Sequence, residues 1–206
     1  MKKVITIGRQ FGSGGSEIAK KLAERLNFNY YDKNLIELAS EKSGINQKFF
    51  EQADEKHNSF LYSLSMAHYG GLVSPVYLND VITNDKLFII QSNLIKEIAS
   101  KENAIIVGRC ASEILAKEEN VLSVYIHAPF NIRAERISKL YDMSTKSAET
   151  LIKRTDKSRS SYFNFYSSKN WGAAESYDLS INSSVLGIDK TVDLLEDYIK
   201  HKFDWY

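Results

Sequence analysis

The stretch that most constrains this chain lies at its start. "VITIGRQFGSGGSEIAKKLAERL", residues 4–26, sets a short apolar run against a glycine-rich turn and then an amphipathic segment. The apolar run reads as a buried strand, and Ile18, Ala19, Leu22, Ala23 and Leu26 fall on one stripe at helical spacing. A strand that passes through glycines straight into a helix leaves the first backbone N–H groups of that helix unpaired, with the positive end of the helix dipole behind them. Such a turn suits a phosphate. Gly12, Gly14 and Gly15 let the backbone wrap closely around an anion, because a glycine reaches φ > 0 without strain and puts no side chain in the way. The phosphate-loop pattern G-x-x-x-x-G-K-[ST] is met only in part: Gly14 and Ser16 fit, but Gly15 stands in the place of the lysine and Arg9 in the place of the first glycine. A tight turn without a ligand is the competing reading.

The remainder of the chain alternates in the same manner. "KVITIG", "FNYYD", "AIIVG", "VLSVYIHA" and "YDLSIN" read as five strands, several of them continuous apolar runs of the kind buried in parallel sheets. Amphipathic segments lie between them, including one near the C-terminus built on Leu186, Ile188, Val192, Leu195 and Ile199. Strand alternating with helix implies a doubly wound α/β fold with a parallel sheet. Two stretches break the rhythm. Residues 46–101 show no strand and read as a helical insert, with "LYSLSMAHYGGLVSP" running from helix into loop before another helix over "DVITNDKLFIIQSNLIKEIAS". Residues 144–171 start at a plausible N-cap, Ser144, and are polar, which predicts a largely exposed helix.

At 206 residues and 43% hydrophobic side chains the chain can bury a full core as a single domain, and disorder is excluded. Its 27 basic and 26 acidic residues leave a formal charge of +1, so no global field steers it to a nucleic acid polymer or an anionic membrane. No run of about 18 apolar residues is present. A single cysteine, Cys110, makes no internal disulfide, and the start reads as a strand instead of a leader, so a cytoplasmic location is expected. The four histidines, His57, His68, His127 and His201, show no metal-ligand spacing, and no resident metal site is expected.

"ITIGRQFGSGGSEIAKKLAERL", "YYDKNLIELA", "IIVGR", "VYIHAPFNIRAERI", "IKRTDKSRSSY" and "YDLSINSSVLGIDKTVDLL" occur in an order that resembles the cytidylate kinase-like family of P-loop nucleoside monophosphate kinases over nearly the whole chain. The resemblance implies a three-layer P-loop fold on a five-stranded parallel sheet, with 46–101 as an acceptor-binding insert and 144–171 as a mobile basic lid. It implies an ATP-dependent transfer of the γ-phosphoryl to a nucleoside monophosphate such as CMP or dCMP, with Mg²⁺ arriving on the nucleotide. A kinase for another small acceptor, or a nucleotide-binding protein without turnover, remains open.

Carried over by position, Gly12, Ser13, Gly14, Gly15 and Ser16 form the phosphate loop. Two residues could replace its lysine: Arg9 at the base of the loop, and Lys20, one helical turn beyond Ser16. Arg109 matches the arginine that holds the acceptor phosphate in the family, while Cys110 takes the place of an acidic residue and cannot accept hydrogen bonds as a carboxylate does. Asp32 is expected near the acceptor, or as the N-cap of the helix that follows it. Arg133 is assigned to substrate, with Arg136 beside it on one helix face. Arg154, Asp156 and Arg159 are expected in the lid, where closing arginines would stabilise the charge of transfer. "YFNFY", 162–166, could stack a base or pack its helix onto a neighbour. Tyr30, Tyr31 and the terminal "FDWY" could contribute to a homodimer surface.

Overall fold

The computed structural model describes residues 2–55 and 83–204. The five expected strands form one parallel sheet, trimmed at their ends: β1 (Val4–Arg9), β2 (Asn29–Tyr31), β3 (Ala104–Val107), β4 (Val121–His127) and β5 (Leu179–Asn182), in the order β2-β3-β1-β4-β5. β1 is central. Val4 pairs with both Ala104 and Val121, and Arg9 at its C-terminal end lies opposite Ile126.

Side chains alternate along β1 and divide the core into two layers. Ile5 and Ile7 face one side, where α1 (Gly15–Leu26) and α8 (Ser183–Lys202) cover the sheet with Ile18, Leu22, Val192, Leu195 and Ile199. Val4 faces the other, with Leu35, Ile36 and Ala39 of α2 (Asn34–Ser43), Phe50 of α3 (Gln47–Glu55), and Leu87, Leu94, Ile95 and Ile98 of α4 (Asn84–Lys101). These two layers on a parallel sheet are the three-layer α/β fold. A short α5 (Ala111–Ile114) follows β3, and α6 (Phe130–Leu140) and α7 (Thr145–Tyr166) follow β4.

Within the stretch expected as an insert, α4 packs Leu94, Ile95 and Ile98 into the same cluster as the sheet residues Val4, Ala104 and Ile106. Thr83 caps it by accepting from the N–H of Lys86. The helix-to-loop stretch at 61–75, with Gly70, Gly71 and Pro75, lies outside the described residues, as do His57, His68, Trp205 and Tyr206.

Helix α7 corrects one expectation. Ser144 does cap it, its hydroxyl accepting from the N–H of Ser147, but its inner face is not exposed: Ala148 and Ile152 pack on Ala134 and Ile137 of α6, and Tyr162 and Phe163 enter a cluster with Cys110, Tyr125 and Tyr177. The polar count of the stretch concealed this, because four buried positions spread over 22 residues are enough to seat a helix. Among the described residues no helix is long and apolar enough to cross a membrane.

Candidate active site

The turn between β1 and α1 is built as its glycines require. Gly12 and Gly14 sit at φ 83° and 80°, which a side chain would strain. Gly14 is the N-cap of α1 and has no side chain with which to cap, so the N–H groups of the first turn, from Gly15 to Glu17, are offered to an anion. The turn is held from three sides. Ser13 Oγ donates to the carbonyl of Gln10 at 2.9 Å, and Ser183 Oγ donates to the carbonyl of Ser13 at 2.6 Å. The N–H of Phe11 donates to Asp156 Oδ1 at 2.8 Å. Gly14 also receives Ile188: a Cβ at position 14 would lie 2.4 Å from Ile188 Cδ1. That contact is permitted by a break in α8 at Gly187 (φ 75°, ψ 176°), which swings the chain so that Ile188 covers the loop.

Beside the loop, over the C-terminal ends of β1 and β3, opens a cleft of about 770 Å³. Its basic lining is Arg9, Lys33, Arg109, Arg154, Lys157 and Arg159, and Asp32 is the only carboxylate among the lining residues. Arg9, Arg109 and Arg159 are drawn together although all three are cations. Burial lowers the pKa of each, to about 10 for Arg109 and about 9 for Arg159, and the charge of Arg9 pushes the other two down further. Clustered buried cations are costly unless an anion meets them; Asp156 offsets part of the cost at Arg159, and all three arginines feel the carboxylate of Asp32. It pairs with Arg9 through Nη2–Oδ1 at 3.1 Å and accepts from Tyr30 Oη at 3.2 Å.

Arg109 is presented by an unusual backbone. Gly108, Arg109 and Cys110 follow β3 with φ of 76°, 56° and 54°. Consecutive left-handed residues other than glycine are uncommon and strained. They turn the chain so that Arg109 lines the cleft. Cys110 is directed inward, 4% exposed, with its thiol contacting the carbonyl of Tyr162 at 4.0 Å. Burial pushes that thiol up to about 12, so it is a protonated packing group.

Other sequence assignments are redistributed. Lys20 is exposed on α1 and does not line the cleft, whereas Arg9 does. Asp32 is not a helix cap: Lys33 occupies that position, and the Asp32 carboxylate is engaged by Arg9 and Tyr30. Arg133 is not on the cleft wall. It is 5% exposed, and donates from Nε to the carbonyl of Ala128, from Nη1 to the carbonyl of Phe11 and from Nη1 to Asp156 at 2.6 Å. Asp156 is consumed by the same network. Together they fasten α7 and α6 to the loop. Arg136 pairs with Glu17. Arg154 is exposed at the cleft rim, and Arg159 lies against the loop, its Nη1 donating to the carbonyl of Arg9 at 3.1 Å. Of the aromatic run, Tyr162 and Phe163 pack as core, and Tyr166 stacks on Phe88 with ring centroids 3.9 Å apart. Tyr30 and Tyr31 use their hydroxyls within the chain, on Asp32 and Glu102. Ser183, Gln10 and Ile188 were not singled out from sequence as loop supports; only the polar "NSS" after β5 hinted at one.

A phosphate loop at the start of the central helix, a cationic cleft beside it and helices on both faces of a parallel sheet describe a phosphoryl-transfer fold. A model of the cytidylate kinase-like family matches residues 4–185. The chain belongs to the cytidylate kinase-like family. Cytidylate kinases similar to it include those of Methanococcus aeolicus, 26% identical with 97% of this chain and 98% of that one covered, and of Pyrococcus horikoshii, 27% identical with 97% and 90% covered. Among solved structures, an uncharacterized protein from Eubacterium ventriosum is similar at TM-score 0.71 and 30% identity, covering 97% of this chain and 99% of that one. A shikimate kinase from Bacteroides thetaiotaomicron, at TM-score 0.54 and 14% identity over 96% and 98% of the two chains, shares the fold. This family member is a nucleoside monophosphate kinase-like phosphotransferase, and its family implies ATP with Mg²⁺. Among the described residues no three His, Cys, Asp or Glu side chains gather as a metal site. Such a lining fits a metal that would arrive on the phosphate oxygens of the nucleotide, not one held by protein side chains alone.

Proposed function

We propose that this kinase moves the γ-phosphoryl of ATP to a nucleoside monophosphate, CMP or dCMP being the simplest acceptors given the relatives it resembles. The observation that carries the reading is the cleft: four arginines and two lysines converge on a space next to the anion-accepting N–H groups of α1, with a single carboxylate among its lining residues. Such a field suits two phosphate-bearing ligands approaching one another. The backbone N–H groups between Gly12 and Ser16 would hold the donor phosphates, and Mg²⁺ would neutralise part of their charge. Arg109 would grip the acceptor phosphate bidentately. Arg159, seated against the loop, and Arg154, at the rim, would meet the charge that spreads over the equatorial oxygens during in-line transfer. Asp32 would orient the floor of the cleft, and Asp156 with Arg133 would keep α7 at the correct distance from the loop.

The test is a coupled ADP-release assay with Mg·ATP against CMP, dCMP, UMP, AMP and small hydroxyl acceptors such as shikimate. Selective turnover of a cytidine monophosphate supports the reading. Turnover of a non-nucleotide acceptor alone would replace the acceptor, and no turnover with any of them would sink it.

A further inference from the structure

Two departures from the phosphate-loop pattern meet in space. Gly15 replaces its lysine and Arg9 replaces its first glycine. A Cβ built on Gly15 would lie 2.6 Å from Arg9 Cβ, 3.2 Å from Arg9 Cγ and 3.3 Å from Ile126 Cβ. Non-bonded carbons settle at roughly 3.5–4.0 Å. The atoms in the way are the root of one side chain and the branch point of another on β4, and neither can swing aside. A side chain at position 9 therefore excludes one at position 15.

What Arg9 does with the space is also visible. Its guanidinium crosses the cleft floor to Asp32 and covers Gly108, where a Cβ would meet Nη1 at 2.2 Å. The side chain is only 15% exposed, yet its Nε has no hydrogen-bond partner. That Nε is buried, so Arg9 is under-satisfied where it stands, and the part of it that a ligand in the cleft could meet is the remaining exposed edge of the guanidinium.

We propose that positions 9 and 15 have exchanged duties: the cation that serves the phosphates enters from the end of β1 instead of the first turn of α1, and residue 15 is glycine because residue 9 is not. The exchange moves the positive charge sideways, from the loop to the floor shared with Arg109. This deepens the phosphotransferase reading above and rests on it for the meaning of the cation, but not for the exclusion between the two positions.

Four proteins test it: the parent, Arg9→Gly, Gly15→Lys and the double variant. The first readout is thermal melting without ligand. Gly15→Lys should melt roughly 5–10 °C below the parent, the scale of an overpacked core site, and should cost little in the Arg9→Gly background. If Gly15→Lys does not fold, Gly15→Ala carries the same comparison. The second readout is calorimetric affinity for tripolyphosphate with Mg²⁺, a phosphate chain with no nucleoside. Arg9→Gly should bind about tenfold more weakly or worse, and the double variant should return to within about threefold of the parent. A Gly15→Lys protein as stable as the parent overturns the exclusion. Unchanged affinity in Arg9→Gly, or a double variant no tighter than Arg9→Gly, overturns the exchange of duties and leaves Arg9 as a structural partner of Asp32. Neither readout uses turnover, so absence of activity in the acceptor panel would strike the kinase reading while these results still stand or fall alone.

Discussion

Arg109 occupies a left-handed backbone position that a branched or bulky residue would resist, and it does so one glycine beyond a strand whose four residues are all fully buried. Strain of that kind persists where the surroundings over-determine it, and here it aims a cation at the cleft. Arg109→Ala should weaken acceptor binding by about 1.5–3 kcal/mol, the worth of a charge-assisted hydrogen bond, with ATP affinity nearly unchanged; equal losses for both ligands, measured calorimetrically, would point to general damage. The neighbouring residue gives an opposite expectation. With its pKa raised to about 12 by burial, the Cys110 thiol is present as thiolate at only about one part in 10⁴ at pH 8. Iodoacetamide at that pH should leave the native protein unmodified and label it once it is unfolded in urea, as read by mass spectrometry. Rapid native labelling would mean that α7 does not cover the thiol. Neither backbone conformation was legible in "VGRC", because nothing in a side chain announces a positive φ at arginine or cysteine; the family resemblance marked Arg109 without revealing how it is aimed. Gly14 carries a related lesson. Its substitution by valine would collide with Ile188, so a loss of nucleotide binding there reports on the packing of α8 as well as on the phosphate space.

At the scale of elements, α7 is the most informative helix. Its sequence advertises charge, and its role as a lid is what the family resemblance implies; its anchoring to the loop was not legible, because Asp156 reaches Phe11 across 145 positions and Arg133 joins them from a third element. Asp156→Ala would leave Arg133, 7% exposed in its side chain, without its counter-charge, and should destabilise the protein by about 3–5 kcal/mol in urea unfolding. Arg154 and Arg159 should behave differently from Asp156. Their alanine variants are expected to lose about 10²-fold or more in turnover while ATP affinity changes little, because charge on the equatorial oxygens is largest in the transition state. Activity that persists in both variants would remove the helix from the chemistry. The amphipathic helices α1 and α8, by contrast, were readable in their sheet-facing stripes, since Ile18, Leu22, Val192, Leu195 and Ile199 repeat at helical spacing and all five are fully buried, whereas Leu186, expected on the same stripe, lies before the break at Gly187 and is exposed. Leu22→Ala should cost about 2–5 kcal/mol by the same measurement.

For the whole molecule, alternation of strand and helix was sufficient to give the sheet and its parallel sense, while its order was not legible, because crossovers that pack helices on both faces are compatible with more than one order. The site is where local pattern ran out. Its cations come from the ends of β1 and β3 and from a helix some 150 residues further along, and only the folded sheet brings Arg9, Arg109 and Arg159 to one cleft. A molecule that keeps such charges together should gain from any anion that fills the cleft: its melting temperature should rise with added phosphate or sulfate, and fall back at high concentrations of a non-binding salt such as sodium chloride. The bond between Phe11 and Asp156 carries one more consequence. The amide proton of Phe11 is held by a side chain of α7 instead of by the sheet, so its exchange with deuterated water counts how often the helix lets go of the loop. Slowing of that one proton when Mg·ATP is added, with β1 amides unchanged, would make a single backbone site the clock of the enzyme's closing motion.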